Sequence, residues 1–247
     1  MISSSAALDY MTRVSATLQM LVSTQMHLIS LAADKVAETL RKDGLVYLFG
    51  TGHSHLLAEE GHYRAGGLAA ACPILVPDLM LHEGAVESTV QERTNGLSEA
   101  LLAKYAPTSQ DVLFIFSNSG VNAVPVEMAM AAKARGMTVI AILSLAYSNS
   151  LTPRVHGKKL LDFADITLDN HGPAGDAMIE IIPDALRAGP ISTVTGAFLL
   201  NAVLVEAMQR IVEGGQTPPV YISANMPGAA EHNAALVERY RRRNPHL

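Results

Sequence analysis

Asp111-Val112-Leu113-Phe114-Ile115-Phe116 is followed by Ser117-Asn118-Ser119-Gly120-Val121-Asn122, and then by a run through Pro125, Lys133 and Arg135 to Gly136. The apolar stretch 112–116 lacks alternation, as expected of a parallel strand covered on both faces. Asn122 stands at the N-cap position of the helix that follows, and Pro125 falls in its first turn, where a missing N–H is harmless. Lys133, Arg135 and Gly136 suit the far end. Strand, turn and helix together present two serine hydroxyls and free N–H groups at a helix N-terminus. Such a turn binds anions, phosphate foremost.

Upstream, 45–49 is another unbroken apolar strand, running into Gly50-Thr51-Gly52-His53-Ser54 and a helix expected over 55–65. A strand is expected at 74–76, a polar linker over 81–95, and a helix at 97–104. Downstream, 138–145 and 166–168 read as strands, separated by a loop and a short helix near 159–163. A Gly/Pro-containing stretch, 170–189, precedes a long apolar helix, 192–212. The tail offers one strand, 220–222, and a helix over 230–242. Strands alternating with helices indicate an α/β doubly wound parallel sheet. One domain is expected over 1–247, with a sheet core at 45–213 and a C-terminal tail at 214–247. Over 4–42, apolar residues from Leu8 to Leu40 recur at helical spacing, in one long helix or two. That length exceeds one small domain, so its apolar stripe is expected to pack on a second subunit.

With 49% hydrophobic and 17% charged residues, the 247-residue chain can fill a sizeable core. A net charge of −5 favours neither nucleic acid nor an anionic membrane, so an anionic ligand must be held by a local site. Cys72 is the only cysteine, which rules out an intrachain disulfide and points to a reducing cytoplasm. The first ten residues lack the basic and apolar regions of a secretory signal. No 18 apolar residues run uninterrupted, so no spanning helix is expected.

Common ligand motifs fail against the two turns. His55 occupies the third glycine position of a dinucleotide fingerprint, no Walker A loop occurs, and Leu56 breaks a nucleophile elbow at Ser54. His82-Glu83 is followed by Gly84-Ala85-Val86, not by the rest of a zincin motif.

Three stretches resemble the sugar-isomerase (SIS) domain: Gly50–Ser54, Ser117–Gly120, and Gly189-Pro190-Ile191-Ser192-Thr193-Val194-Thr195. Gly52-His53-Ser54-His55, Tyr63-Arg64-Ala65-Gly66-Gly67, Leu81-His82-Glu83-Gly84-Ala85 and Glu238-Arg239-Tyr240 are similar to an uncharacterised bacterial phosphosugar-binding subgroup of that family. The resemblance implies a five-stranded parallel sheet with helices on both faces, in a homodimer or dimer of dimers. It also implies a ligand site at the strand C-termini, shared between subunits. A phosphosugar would be held by Ser117, Asn118, Ser119 and Gly120, with Gly52, His53, Ser54, Ser192 and Thr193 nearby. Where the family has Thr or Ser two residues after the glycine, this chain has Asn122, an amide able to bind the anion or cap the helix.

Moving a proton between adjacent sugar carbons needs acid–base groups beside the anion turn. Glu59 or Glu60 is expected to enter the site from the helix after Ser54. His82 and Glu83 follow the second strand and His171 the fifth, at the edge where doubly wound sheets bind ligands. Asp176 and Glu180 stand in reserve. His55, Glu59 and His62 lie at i, i+4 and i+7 with donor types that suit a divalent metal, zinc being the candidate. No cofactor is otherwise required.

The expected function is an aldose–ketose sugar-phosphate isomerase working through an enediol(ate). Alternatives are a sugar-phosphate etherase or deaminase, or a non-catalytic sensor of sugar phosphates. The turn itself does not distinguish phosphate from sulfonate.

Overall fold

The computed structural model describes residues 5–247; residues 1–4, where the N-terminal readings begin, lie outside the described residues. The elements in chain order are α1 (Ala6–Arg41), β1 (Val46–Gly50), α2 (His55–Glu60), β2 (Ala71–Pro73), α3 (Leu81–Gln91) and α4 (Ser98–Ala103). Then come β3 (Val112–Phe116), α5 (Ala123–Ala134), β4 (Thr138–Leu143), α6 (Leu145–Ser150) and β5 (Ile166–Asp169). The chain closes with β6 (Ala177–Ile182), β7 (Leu186–Pro190), α7 (Ser192–Glu213) and α8 (Ala229–Tyr240).

Strands β1–β5 form one sheet in the order β2-β1-β3-β4-β5, every neighbouring pair parallel. Residues of β1 and β3 are buried throughout, which explains their unalternated sequences. The strand order reverses between β1 and β3, so their connections leave on opposite faces of the sheet. A crevice opens at the carboxyl ends of such a pair. Gly50, the last residue of β1, is in register with Phe116, the last of β3, so the two glycine- and serine-containing turns emerge side by side.

The N-terminal region is one helix of 36 residues, about 54 Å long at 1.5 Å per residue. Ser5 caps it, its hydroxyl accepting from Leu8 N. Leu21, Ile29, Ala32, Val36 and Leu40 bury one face of α1 against the body of the protein. Arg210 of α7 ties to α1 through the Ser30 carbonyl at 2.6 Å and through an ion pair with Asp34. By length and composition α7 is apolar enough to cross a membrane, although no uninterrupted apolar run occurs. Here Leu199, Leu200, Val203 and Leu204 pack it into the core.

Several boundaries differ from the sequence reading. The helix after Ser54 ends at Glu60 rather than 65: Gly61 is its C-cap, and Tyr63, at φ +43, takes the chain out of the helical conformation. The second strand lies at 71–73, with Ile74 N still donating to Leu48 O at 2.8 Å. The polar linker is α3, interrupted at Gly84 and largely exposed. The fourth strand stops at Leu143, where Ser144 caps α6 by accepting from Tyr147 N. Residues 160–162 form a single 3-10 turn. The stretch 170–189 contains most of an antiparallel hairpin, β6–β7, on which Tyr10 rests by donating to Pro190 O. Val220 makes only an isolated bridge to Leu68.

Candidate functional site

The turn after β3 is built by its own backbone. Ser117 N donates to Ile142 O, Ser144 N to Asn118 O, and Gly120 N to the Ser117 hydroxyl at 3.2 Å. Gly120 has φ +63, and a side chain there would press on Leu143 and Leu160. Ser117 is buried, while Asn118 and Ser119 are half-buried. Asn122 occupies the N-cap of α5, but its side chain makes no capping bond; its Oδ1 lies 3.5 Å from Arg154 Nη1.

The turn after β1 is equally tight, since a Cβ on Gly50 would collide with the Ser54 carbonyl. Thr51 Oγ1 donates to Glu92 at 2.7 Å, and His55 donates from Nδ1 to Gly52 O. His53 is exposed.

Ser54, Ser117, Asn118, Asn170, Ser192 and Thr193 line one cleft at the switch point. Its water-accessible space is about 10 Å³, roughly one water molecule. Asn170 bridges the cleft, donating to Asn118 Oδ1 at 2.9 Å and accepting from Gly172 N at 2.8 Å. At the start of α7, Asp176 accepts from Ser192 N at 2.9 Å and from its hydroxyl at 2.7 Å. That carboxylate complements the positive end of the helix.

Of the expected anion-binding residues, Ser54, Ser117, Asn118, Ser192 and Thr193 share this cleft, whereas Gly52, His53, Ser119, Gly120 and Asn122 are not among the residues that line it. The expected acid–base residues do not all join them. Glu60 is taken by an ion pair with Arg64 and a bond from Asn201 Nδ2 on α7. Glu59 is exposed, 3.5 Å from His55 Nε2. His82 and Glu83 sit exposed in the first turn of α3 rather than in a loop, 3.5 Å apart. The His82 ring centroid lies 6.0 Å from that of His55. Glu180 accepts from Asp184 N on the exposed hairpin.

His171 is fixed beside Asn170. Its Nδ1 meets Asp169 Oδ2 at 3.1 Å, and its Nε2 meets the Thr24 hydroxyl of α1 at 2.8 Å. Asp169 Oδ1 also accepts from Leu145 N and His171 N, both at 3.0 Å, so the carboxylate is held rigidly.

The metal triplet His55, Glu59, His62 is not assembled. Because α2 ends at Glu60, His62 turns away towards His246, with ring centroids 6.2 Å apart. Burial holds His62 below the usual histidine range. Among the described residues, no three His, Cys, Asp or Glu side chains converge as a metal site requires. Cys72 is fully buried, and burial pushes its thiol up to about 12, which keeps it protonated and unreactive.

Sequence reasoning missed Asn170, Asp169 and Thr24. Asn170 and Asp169 directly precede His171, so the end of a buried strand was a usable signal for them; Thr24, 147 positions away, offered none.

A family model described as SIS domain matches residues 9–144, a span that contains both turns. A UPF0309 protein of Brucella canis is 51% identical over 217 residues, covering 87% of this chain and 88% of the relative. A phosphoheptose isomerase from Neisseria gonorrhoeae matches in structure with TM-score 0.51 and 20% identity, over 80% of this chain and 94% of its own. A phosphoheptose isomerase from Francisella tularensis matches with TM-score 0.51 and 17% identity, over 85% of this chain and all of its own (100%). At such identities these structures share the fold with this chain.

Proposed function

Because the chain belongs to the SIS-domain family, we propose that it binds a sugar phosphate in the cleft between the ends of β1 and β3 and isomerises it between aldose and ketose. The observation that carries this reading is the convergence of Ser54, Ser117, Ser192 and Thr193 on one cleft at the sheet's switch point. Ser119, the turn amides and the positive end of α5 add donors for an anionic head group. The fold shared with two phosphoheptose isomerases agrees with that ligand class. The cleft is narrow, so the phosphate enters by parting Asn118 from Asn170, with the sugar extending towards the rim.

In this reaction a base takes the proton on the carbon beside the carbonyl, leaving an enediol(ate), and a proton returns to the neighbouring carbon. The base in this reading is His171, oriented by Asp169 and adjacent in the chain to Asn170 of the cleft: its Nε2 exchanges Thr24 for a substrate hydroxyl or carbon-bound proton. His53, Glu59, His82 and Glu83, all exposed on the turn after β1 or on α2 and α3, are the further groups assigned to the sugar in this reading. No metal is required by this scheme.

A second copy of the chain completes the molecule in this reading. Exposed Leu8, Met11, Met20, Val22 and Met26 on α1 lie on the helix that packs against α7, where Phe198 and Val205 are also exposed. Light scattering of the purified protein reads the oligomeric state directly.

The test is calorimetric titration with hexose, pentose, heptose and amino-sugar phosphates, followed by a ketose-formation assay with any that bind, with and without zinc. Binding by at least one, weakened at least tenfold in Ser119→Ala, is expected. If millimolar concentrations of every class leave the calorimetric signal flat, the reading is wrong. Binding without turnover would identify a sensor instead of an enzyme.

A further inference from the structure

The connection between α6 and β5 has an unusual charge for this chain. Residues 151–159 read Leu-Thr-Pro-Arg-Val-His-Gly-Lys-Lys, with Arg154, His156, Lys158 and Lys159 and no carboxylate, in a protein of net charge −5. This basic segment is fastened to the anion turn. Leu160 N donates to Gly120 O at 2.8 Å, and Lys159 Nζ donates to the Ser148 carbonyl at 2.5 Å. A tight turn, with Lys158 N donating to Val155 O, sets the direction in which Arg154 leaves.

Two features mark the turn's flank as incompletely used. Ser148 is fully buried, its hydroxyl has no hydrogen-bond partner, and it lies 3.4 Å from the position of a Cβ on Gly120. Asn122, at the head of α5, leaves the helix uncapped and turns its amide oxygen to Arg154. The Arg154 guanidinium is exposed and faces that neutral amide at 3.5 Å, the outer limit of a hydrogen bond. A contact so long is easily given up for an anion, to which guanidinium binds with two parallel N–H donors.

We infer that Arg154 is a phosphate-binding residue: swung from Asn122 onto the head group at Ser117–Gly120, it supplies the positive charge that a turn of hydroxyls and amides lacks. This rests on the sugar-phosphate reading and extends it to a residue outside the family's turns. Asn122 then acts as the resting partner of Arg154 and, once released, as a donor to the same anion. A doubly charged phosphate gains more from this cation than a singly charged sulfonate, so Arg154 also sets the preference between them.

The test is an NMR titration of the 247-residue protein with methyl phosphate and, separately, methanesulfonate, following the amides of 117–120. Wild type is expected to saturate with methyl phosphate and to bind methanesulfonate more weakly. Arg154→Ala should weaken methyl phosphate about tenfold and erase the preference, since charge-assisted bonds of this kind are each worth such a factor. Arg154→Lys should fall between. Lys158→Ala, which removes the same charge from the same segment, should stay within about twofold, which separates a direct contact from a general field. If Ser119→Ala loses binding while Arg154→Ala titrates like wild type, the role of Arg154 is overturned and the sugar-phosphate site stands. If wild type shows no shifts at 117–120, both fall.

Discussion

Asn170 reaches from the end of β5 to Asn118 after β3, its Nδ2 donating to Oδ1 at 2.9 Å across the mouth of the cleft. The same side chain accepts from Gly172 N, and Ser144 Oγ donates to Gly172 O at 2.6 Å, so one buried amide organises three turns. Asn170→Ala strands the Gly172 N–H in a buried position. The expected loss is about 1–3 kcal/mol of unfolding free energy in urea. Asn118→Ala should cost less, because its half-buried site lets water replace the bond. Equal losses would show that the bridge, rather than the Gly172 contact, carries the stability.

Asp111, at the entrance to β3, is 1% exposed and accepts from Leu45 N at 2.7 Å, from Thr108 N at 2.6 Å and from Arg243 Nη2 at 2.6 and 2.8 Å. Arg243 thereby locks the C-terminal residues onto the sheet. Arg243→Ala is expected to cost about 1.5–3 kcal/mol, the worth of hydrogen bonds to a charged group. Arg241→Ala, which removes an exposed partner of Glu238, should cost no more than about 0.5 kcal/mol. Chemical denaturation of both variants checks the contrast; comparable losses would refute it.

What the sequence disclosed depended on whether local chemistry decided the structure. Stretches such as 112–116 are buried on both faces, and their unbroken apolar runs say so. The two turns carried glycines and serines whose purpose is local. By contrast, α3 lies largely exposed and is interrupted at Gly84, so its polar composition read as linker. The helix does not run through His62 because Gly61 caps it and Tyr63 turns left-handed at φ +43, a break invisible to helical periodicity, and without that turn of helix the metal triplet does not form. Asp176 reads from the sequence only as a reserve base; its bonds to Ser192, sixteen residues on, make it a cap for α7.

His62 and His246 are both held below the ordinary histidine value of 6.5, chiefly by burial, and for His246 also by the neighbouring His62. A histidine that titrates lower when folded binds fewer protons than the unfolded chain between the two values. Its contribution to stability is therefore complete above about pH 6.5 and is lost as pH falls through the lowered folded values. Urea midpoints measured from pH 7.5 to 5 should decline with acid in wild type. The decline should be shallower in His62→Gln/His246→Gln. An unchanged slope in the double variant would assign the acid sensitivity elsewhere.

Asp169 and His171 form a dyad at the end of β5. The carboxylate receives the proton-bearing Nδ1 at 3.1 Å, which presents Nε2 outward to Thr24. Asp169→Asn keeps one oxygen for Leu145 N and His171 N but turns an NH₂ group towards Nδ1. The ring must then carry its proton on Nε2, the wrong atom for a base. If His171 moves the proton in isomerisation, His171→Gln and Asp169→Asn should each lower kcat about 10²–10⁴-fold while sugar-phosphate binding changes little. Thr24→Val, which only frees the resting ring, should leave kcat within a few-fold. Calorimetry and the ketose assay on the same preparations separate binding from chemistry. Full turnover in His171→Gln would refute that role and move the proton transfer to Glu59 or the His82–Glu83 pair, which stand exposed on α2 and α3.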